Sequence, residues 1–300
     1  MLFRSTLNLD ERLLESLITP RTRAIVVVHY AGVGCEMDAI LETAGRHGVP
    51  VVEDNAHGLF GRYRGRPLGS FGVLGTLSFH ETKNISCGEG GALLINDPAL
   101  VARAEIVREK GTDRAAFFRG AVDKYTWVDV GSSYLPSEIL AAFLWAQLEA
   151  AGDIQQRRRA IWVRYAQALP AWASANGVTL PHVPPHCEHP AHMFYLLMPS
   201  PADRDGLIAH LKQHGMTSVF HYVPLHTSPM GRRLAPDARC EVSEDVSSRL
   251  LRLPFFAELD AAAQDRVIAA VLAYEVGKNP GIGPEVSRSQ RDSQRSTAVK

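Results

Sequence analysis

Two apolar runs joined through a helix-like segment constrain this chain most. The first, AIVVVH (24–29), is continuous and β-branched, the pattern of a strand covered on both faces. Residues 36–47 have helical spacing and are stopped by Gly48-Val49-Pro50. The second run, VVED (51–54), ends in two carboxylates. Strand, helix, strand in that order predicts parallel pairing through a right-handed crossover, hence an α/β sheet layered with helices. GTLSF (75–79) and ALLI (92–95) add two short strands. DERLLESLI (10–18) and residues 98–110 add helices, the latter with Asp97 as N-cap and Pro98 at its first position.

Downstream, PSEILAAFLWAQLEA (136–150) and residues 154–173 read as long helices, with Gly152-Asp153 as a hinge between them. A Pro- and His-rich connection follows at 181–190. A strand (192–198), a helix (203–214), a strand (217–222) and two helices (243–251 and 260–276) complete the pattern. The expected organisation is a large domain over 1–152 and a smaller α+β domain over 153–276. A tail over 277–300, rich in Gly, Pro, Ser, Gln and Arg, is expected to be disordered.

The 300 residues are 46% hydrophobic, ample for a core, and carry 32 Lys+Arg against 32 Asp+Glu. That balance argues against nucleic acid and anionic membrane surfaces as partners. No apolar run reaches the roughly 18 residues of a membrane span. Four scattered cysteines without a CxxC pair suit a reducing compartment, and Asp10, Glu11 and Arg12 follow too soon for a signal peptide. The expectation is a soluble cytoplasmic protein.

In an open parallel sheet, ligands sit beyond the carboxyl ends of the strands. Asp54 is at one such end, and Lys83 lies a few residues beyond another, in SFHETKN (78–84) before Gly88-Glu89-Gly90-Gly91. Either alone reads most simply as a helix cap or a solvated charge. Together with Ser78 they match the three needs of pyridoxal phosphate: an amine for its aldehyde, a carboxylate against its ring nitrogen, and a donor for its phosphate. Lys83 would then also serve as the base that moves the substrate proton. A nicotinamide site is disfavoured, because no GxGxxG follows the first strand. His182, His186, His189 and His192 with Cys187 match no zinc spacing and sit among prolines, so a surface connection is expected and no metal. Cys87 reads as packing, and Arg157-Arg158-Arg159 as a solvated helix face.

VVEDNAHG, GTLSFHETKNISCGEGGALLIND and FHYVPLH closely resemble the sugar aminotransferases of pyridoxal-phosphate fold type I. VVHYAGVGCEMD, REKGTDRAAFFRGAVDKYTWVDVGSSYLPSE and AAFLWAQLEAA resemble one branch of them, the dTDP-4-amino-4,6-dideoxygalactose transaminases. The resemblance spans residues 7–274. It implies a three-layer α/β/α, aspartate aminotransferase-like large domain, with a smaller C-terminal α+β domain. Lys83 would attach the cofactor, Asp54 would face its ring nitrogen and Ser78 would bind its phosphate. His57, where relatives often have Gln, would lie beside the ring. His80 and Asn84 would line the site, with Tyr222 and His226 on the substrate side. Ser133 would reach the phosphate of the neighbouring subunit's cofactor in a homodimer. Glutamate would leave as 2-oxoglutarate, its amino group passing to C4 of dTDP-4-keto-6-deoxyglucose, for surface polysaccharide or lipopolysaccharide synthesis. Lys83 argues against the related sugar dehydratases, which carry histidine there. Relatives have a longer portion before the helix at Asp10, with a Gly-Thr pair that binds phosphate. The resemblance therefore implies an N-terminally truncated large domain, and leaves a second reading: an inactive remnant that only binds partner subunits.

Overall fold

The computed structural model describes residues 5–277; apart from Gly277, the expected tail lies outside the described residues. The chain divides into two units. The first comprises Thr6–Gln156 and Val183–His192. The second is built mainly from Arg157–His182 and the chain from Met193.

In the first unit a four-stranded sheet runs in the order β1 (Ile25–Val28), β2 (Val51–Asp54), β3 (Leu74–Ser78), β4 (Gly91–Ile95). β1, β2 and β3 are parallel, with Val28 opposite Asp54 and Asp54 opposite Thr76. The crossover between β1 and β2 carries helix α1 (Met37–Arg46), whose Met37, Ile40 and Ala44 pack with Ile25, Val27 and Val51. β4 departs from the parallel expectation and pairs antiparallel to β3. The link between them holds no helix and so cannot make a crossover. Instead it folds back, with Phe79 N–H donating to Gly90 O and Glu81 N–H to Gly88 O. Gly88 has φ +87°, which favours glycine.

β1 is covered on one face, not two. Ile25 and Val27 are buried, whereas Val26 and Val28 are 58% and 44% exposed. A β-branched run keeps apolar side chains at both alternating positions, so the sequence pattern cannot separate the two cases.

Glu53 and His29 bind the elements together. Both are fully buried, and His29 Nε2 lies 2.9 Å from Glu53 Oε2. His29 Nδ1 accepts from the Cys35 amide, which leaves the ring hydrogen on Nε2 facing the carboxylate. Glu53 also accepts from the amides of Gly69 (2.7 Å), Phe71 (2.5 Å) and Gly72 (2.8 Å). Burial alone would push this carboxyl up. Donation from His29 and from the Gly72 and Gly69 amides outweighs that, and the group sits below its ordinary value.

Helix α2 (Val101–Arg108) starts beyond a turn capped by Asp97, whose carboxylate accepts from the Ala99 amide. Helix α3 (Glu138–Glu149) is capped by Ser137 and turns Leu140 and Leu144 onto Phe79, Ile85 and Cys87. The hinge expected at Gly152-Asp153 is not a break. Both residues lie inside helix α4 (Ala151–Ala168), and the chain changes unit within that helix. One helical glycine costs about 1 kcal/mol and does not by itself end a helix. Pro170 does restart the chain, opening a separate helix, Pro170–Ala175. Arg158 corrects another expectation. It is buried, with its guanidinium 4.8 Å from the Phe255 ring, and burial lowers its pKa to about 10. Arg157 and Arg159 are exposed, as expected of a solvated face.

The second unit holds an antiparallel sheet in the order β5 (Tyr195–Leu197), β7 (Leu250–Arg252), β6 (Val219–Phe220). Helices α5 (Pro201–Gln213), α6 (Glu241–Arg249) and α7 (Ala261–Leu272) accompany it. Its core gathers Tyr165, Phe194, Leu196, Leu207, Leu251 and Val271. The expected span 153–276 is not one contiguous unit. Val183–His192 belongs to the first unit, where Cys187 and Glu188 pair with Tyr63 and Arg62. Among the described residues no helix is long and apolar enough to cross a membrane.

The depressed Glu53 pKa sets a pH dependence. Its contribution to stability is complete above the ordinary value near 4.5 and is lost as pH falls through the lower folded value. Glu53→Gln should cost about 2 kcal/mol or more at pH 7 and flatten that acid limb, as read by urea unfolding across pH.

Candidate active site

β2 and β3 run parallel, so Asp54 and Ser78 end their strands at the same edge of the sheet. Asp54 is partly buried, and its Oδ1 accepts from the Ala56 amide at 3.1 Å, turning the chain out of the strand. Oδ2 has no hydrogen-bond partner among the described residues. The next residue, Asn55, is buried and donates to Leu68 O at 2.9 Å, which anchors the turn. On that turn, His57 stacks on His192 (centroids 4.3 Å, 17° between planes) and lies at the edge of Tyr30. Gly32, at φ +83°, lets the Tyr30 turn approach, since a Cβ there would sit 2.5 Å from Pro190 Cδ.

Lys83 sits in the loop between β3 and β4. Its amide donates to His80 O at 2.9 Å, closing a turn, and Phe79, Ile85 and Cys87 pin the loop from below. Ser78 Oγ is within 3.4 Å of the His80 amide. His80 Nδ1 accepts from the Thr82 amide, and its Nε2 lies 3.8 Å from Glu89. Asn84 is buried, donating to Pro190 O at 2.8 Å and meeting His192 Nδ1 at 2.9 Å. The cysteine expected to be packing, Cys87, is buried with its thiol 3.2 Å from Glu89 O.

Of the remaining expected residues, Ser133 is exposed on the first unit, in a bridge with Glu109. Tyr222 and His226 belong to the second unit. Tyr222 is exposed with its ring against His221. His226 Nε2 pairs with Glu244 at 2.8 Å beside Arg232 and Arg239. That contact holds the Glu244 carboxyl below its ordinary value. Among the described residues no three His, Cys, Asp or Glu side chains are placed to share a metal. His186 pairs with Glu36, and His192 with Asn84.

Glu53, His29 and Gln155 escaped the sequence reading, and His192, expected on a surface connection, is instead buried. Strand alternation carried a signal for Glu53: of two adjacent strand carboxylates, one must point into the core. Nothing local marked His192 or Gln155, whose partners are about 108 and 71 residues away in sequence.

The donor set fits pyridoxal phosphate. It offers an amine on a pinned loop, a strand-end carboxylate with an open oxygen, and a hydroxyl at the same sheet edge. The sequence profile of the DegT/DnrJ/EryC1/StrS aminotransferase family matches residues 3–272. The chain belongs to that family. Solved structures agree. The chain is 34% identical to S. venezuelae DesV, solved in complex with a ketimine intermediate, over 90% of this chain and 70% of that one (TM-score 0.78). It is 27% identical to an aminotransferase, TlmJ, from Streptoalloteichus hindustanus, over 90% and 70% (TM-score 0.80). A DegT DnrJ EryC1 StrS aminotransferase from Brucella abortus is 28% identical over 90% and 71% (TM-score 0.78). The α/β fold is that of pyridoxal-phosphate-dependent sugar aminotransferases. This DegT-family chain is thus an aminotransferase of nucleotide-sugar keto intermediates, with pyridoxal phosphate as its cofactor.

Asp54→Asn should lower kcat by about 10²-fold or more while cofactor still attaches, because the isosteric amide keeps the turn but loses the charge. Single-turnover kinetics with an amino donor, beside an absorbance spectrum of the loaded enzyme, checks both.

Proposed function

We propose that this DegT-family enzyme moves an amino group from glutamate to C4 of dTDP-4-keto-6-deoxyglucose. The product would be dTDP-4-amino-4,6-dideoxygalactose, made in the cytoplasm for surface polysaccharide synthesis. The observation that carries the reading is Lys83 on its pinned loop, at the sheet edge where Asp54 and Ser78 end their strands. The choice of sugar rests on the branch-specific segments around Ser133 and Tyr134.

Pyridoxal phosphate, when bound, supplies the electron sink that lets an amino group leave one carbon and join another. Asp54 would accept the hydrogen on its ring nitrogen and keep that nitrogen charged. Ser78 Oγ would donate to its phosphate, and His57 would lie beside its ring. Lys83 would hold it through Nζ, and its amine would serve as the base for the proton at the amino donor's Cα. His80 and Asn84 would flank that amine.

A homodimer belongs to this reading, with Ser133 donating to the phosphate on the partner. Ile139 and Phe143, one turn apart on α3, are 81% and 57% exposed, and Trp145 is 66% exposed. Apolar surface of this kind on a soluble enzyme supports burial against a second copy. Ile139→Asp with Trp145→Glu should shift the sedimentation coefficient from dimer to monomer.

Turnover with glutamate and a panel of dTDP-keto sugars tests the substrate. One 2-oxoglutarate should form per 4-amino sugar. Activity confined to a 3-keto sugar would refute the choice of C4, and cofactor-loaded, folded protein inert toward every keto sugar would refute the reading.

A further inference from the structure

His192 closes the segment Val183–His192 and is buried with Asn84 and Gln155. The Pro190 carbonyl can only accept, so the side-chain amides that reach it must donate: Asn84 Nδ2 at 2.8 Å and Gln155 Nε2 at 2.6 Å. That orients the Asn84 amide and turns its Oδ1 toward His192 Nδ1 at 2.9 Å. An amide oxygen accepts, so Nδ1 of His192 carries the hydrogen. The same imidazole lies nearly parallel to the His57 ring, at 4.3 Å and 17°. One side chain thus touches the neighbour of Lys83 through its edge and the loop after Asp54 through its face.

We propose that His192 is a positioning residue, fixing the plane of the His57 ring relative to the Lys83 loop. The proposal rests on the reading of Lys83 and Asp54 as the pair that holds the cofactor. The physical need is plain. Lys83 and His57 sit on separate loops, each leaving the end of a different strand. A flat ring set against a flat cofactor helps only if its plane is held, and small misplacements of such groups cost rate steeply. His192 supplies both constraints at once, a ring face for His57 and an Nδ1–H for Asn84. A histidine that merely filled the core would need only to be satisfied and packed.

Two substitutions separate the constraints. His192→Phe keeps a ring face and removes the donor. His192→Asn keeps a donor near Nδ1 and removes the face. In cofactor-free protein labelled with ¹³C,¹⁵N-histidine, the ring-current displacement of the His57 resonances should be lost in His192→Asn and kept in His192→Phe. In the loaded enzyme, both variants should lower kcat by about tenfold to a hundredfold with little change in KM for glutamate, and weaken the induced circular dichroism of the bound cofactor. His57 resonances unmoved in a folded His192→Asn protein would overturn the proposal. So would wild-type kcat and dichroism in both variants. The cofactor-free readout stands apart from catalysis. A failure of the aminotransferase reading, seen as wild-type protein that never takes up cofactor, is therefore told from a failure of this one.

Discussion

Glu53 places a carboxylate where no water reaches it, and the first unit is organised around satisfying it. Leaving such a charge unpaired in a core costs several kcal/mol. Here it has four donors: a histidine ring at the end of β1 and three amides of the loop that leads into β3. The contact therefore ties three consecutive parts of the parallel sheet to one atom pair. It also sets direction. Strand side chains alternate, so holding Glu53 in the core turns Asp54 to the other side. A register slip by one residue would bury Asp54 and expose Glu53, losing the four donors together. The carboxylate proposed to face the cofactor ring is placed by its neighbour's burial.

The lysine is placed by different means. It stands on a loop between antiparallel strands, where backbone turns and three apolar side chains replace the helix that a crossover would have provided. Loops on rigid scaffolds are where catalytic groups concentrate, because the scaffold fixes their ends while the loop shapes the site. A second, polar set of contacts runs from Asn84 through His192 to His57. Its direction is dictated by the Pro190 carbonyl, a pure acceptor. The loop that carries Lys83 and the loop that follows Asp54 thus meet in one network of contacts.

Much of this was legible in the sequence, for local reasons. The strand–helix–strand order, the Asp97 cap and the strand-end position of Asp54 all follow from short-range pattern. What was not legible depended on long range. The antiparallel turn of β4 hangs on a link too irregular to read as either hairpin or crossover. The return of residues 183–192 to the first unit is fixed by pairing with residues 62 and 63, far away in sequence. Arg158 looked solvated because its two neighbours are, and only the Phe255 ring shows otherwise. His192 looked like one of several scattered histidines, and its partners decide its role.

Every role proposed for this site depends on the amine of Lys83 carrying the cofactor. Loading the protein with pyridoxal phosphate, reducing it with borohydride and mapping the adduct by peptide mass spectrometry tests that directly. A single stable adduct is expected, on the peptide that contains Lys83. A folded protein with no adduct, or with its adduct at Lys110 or Lys124 instead, would contradict it.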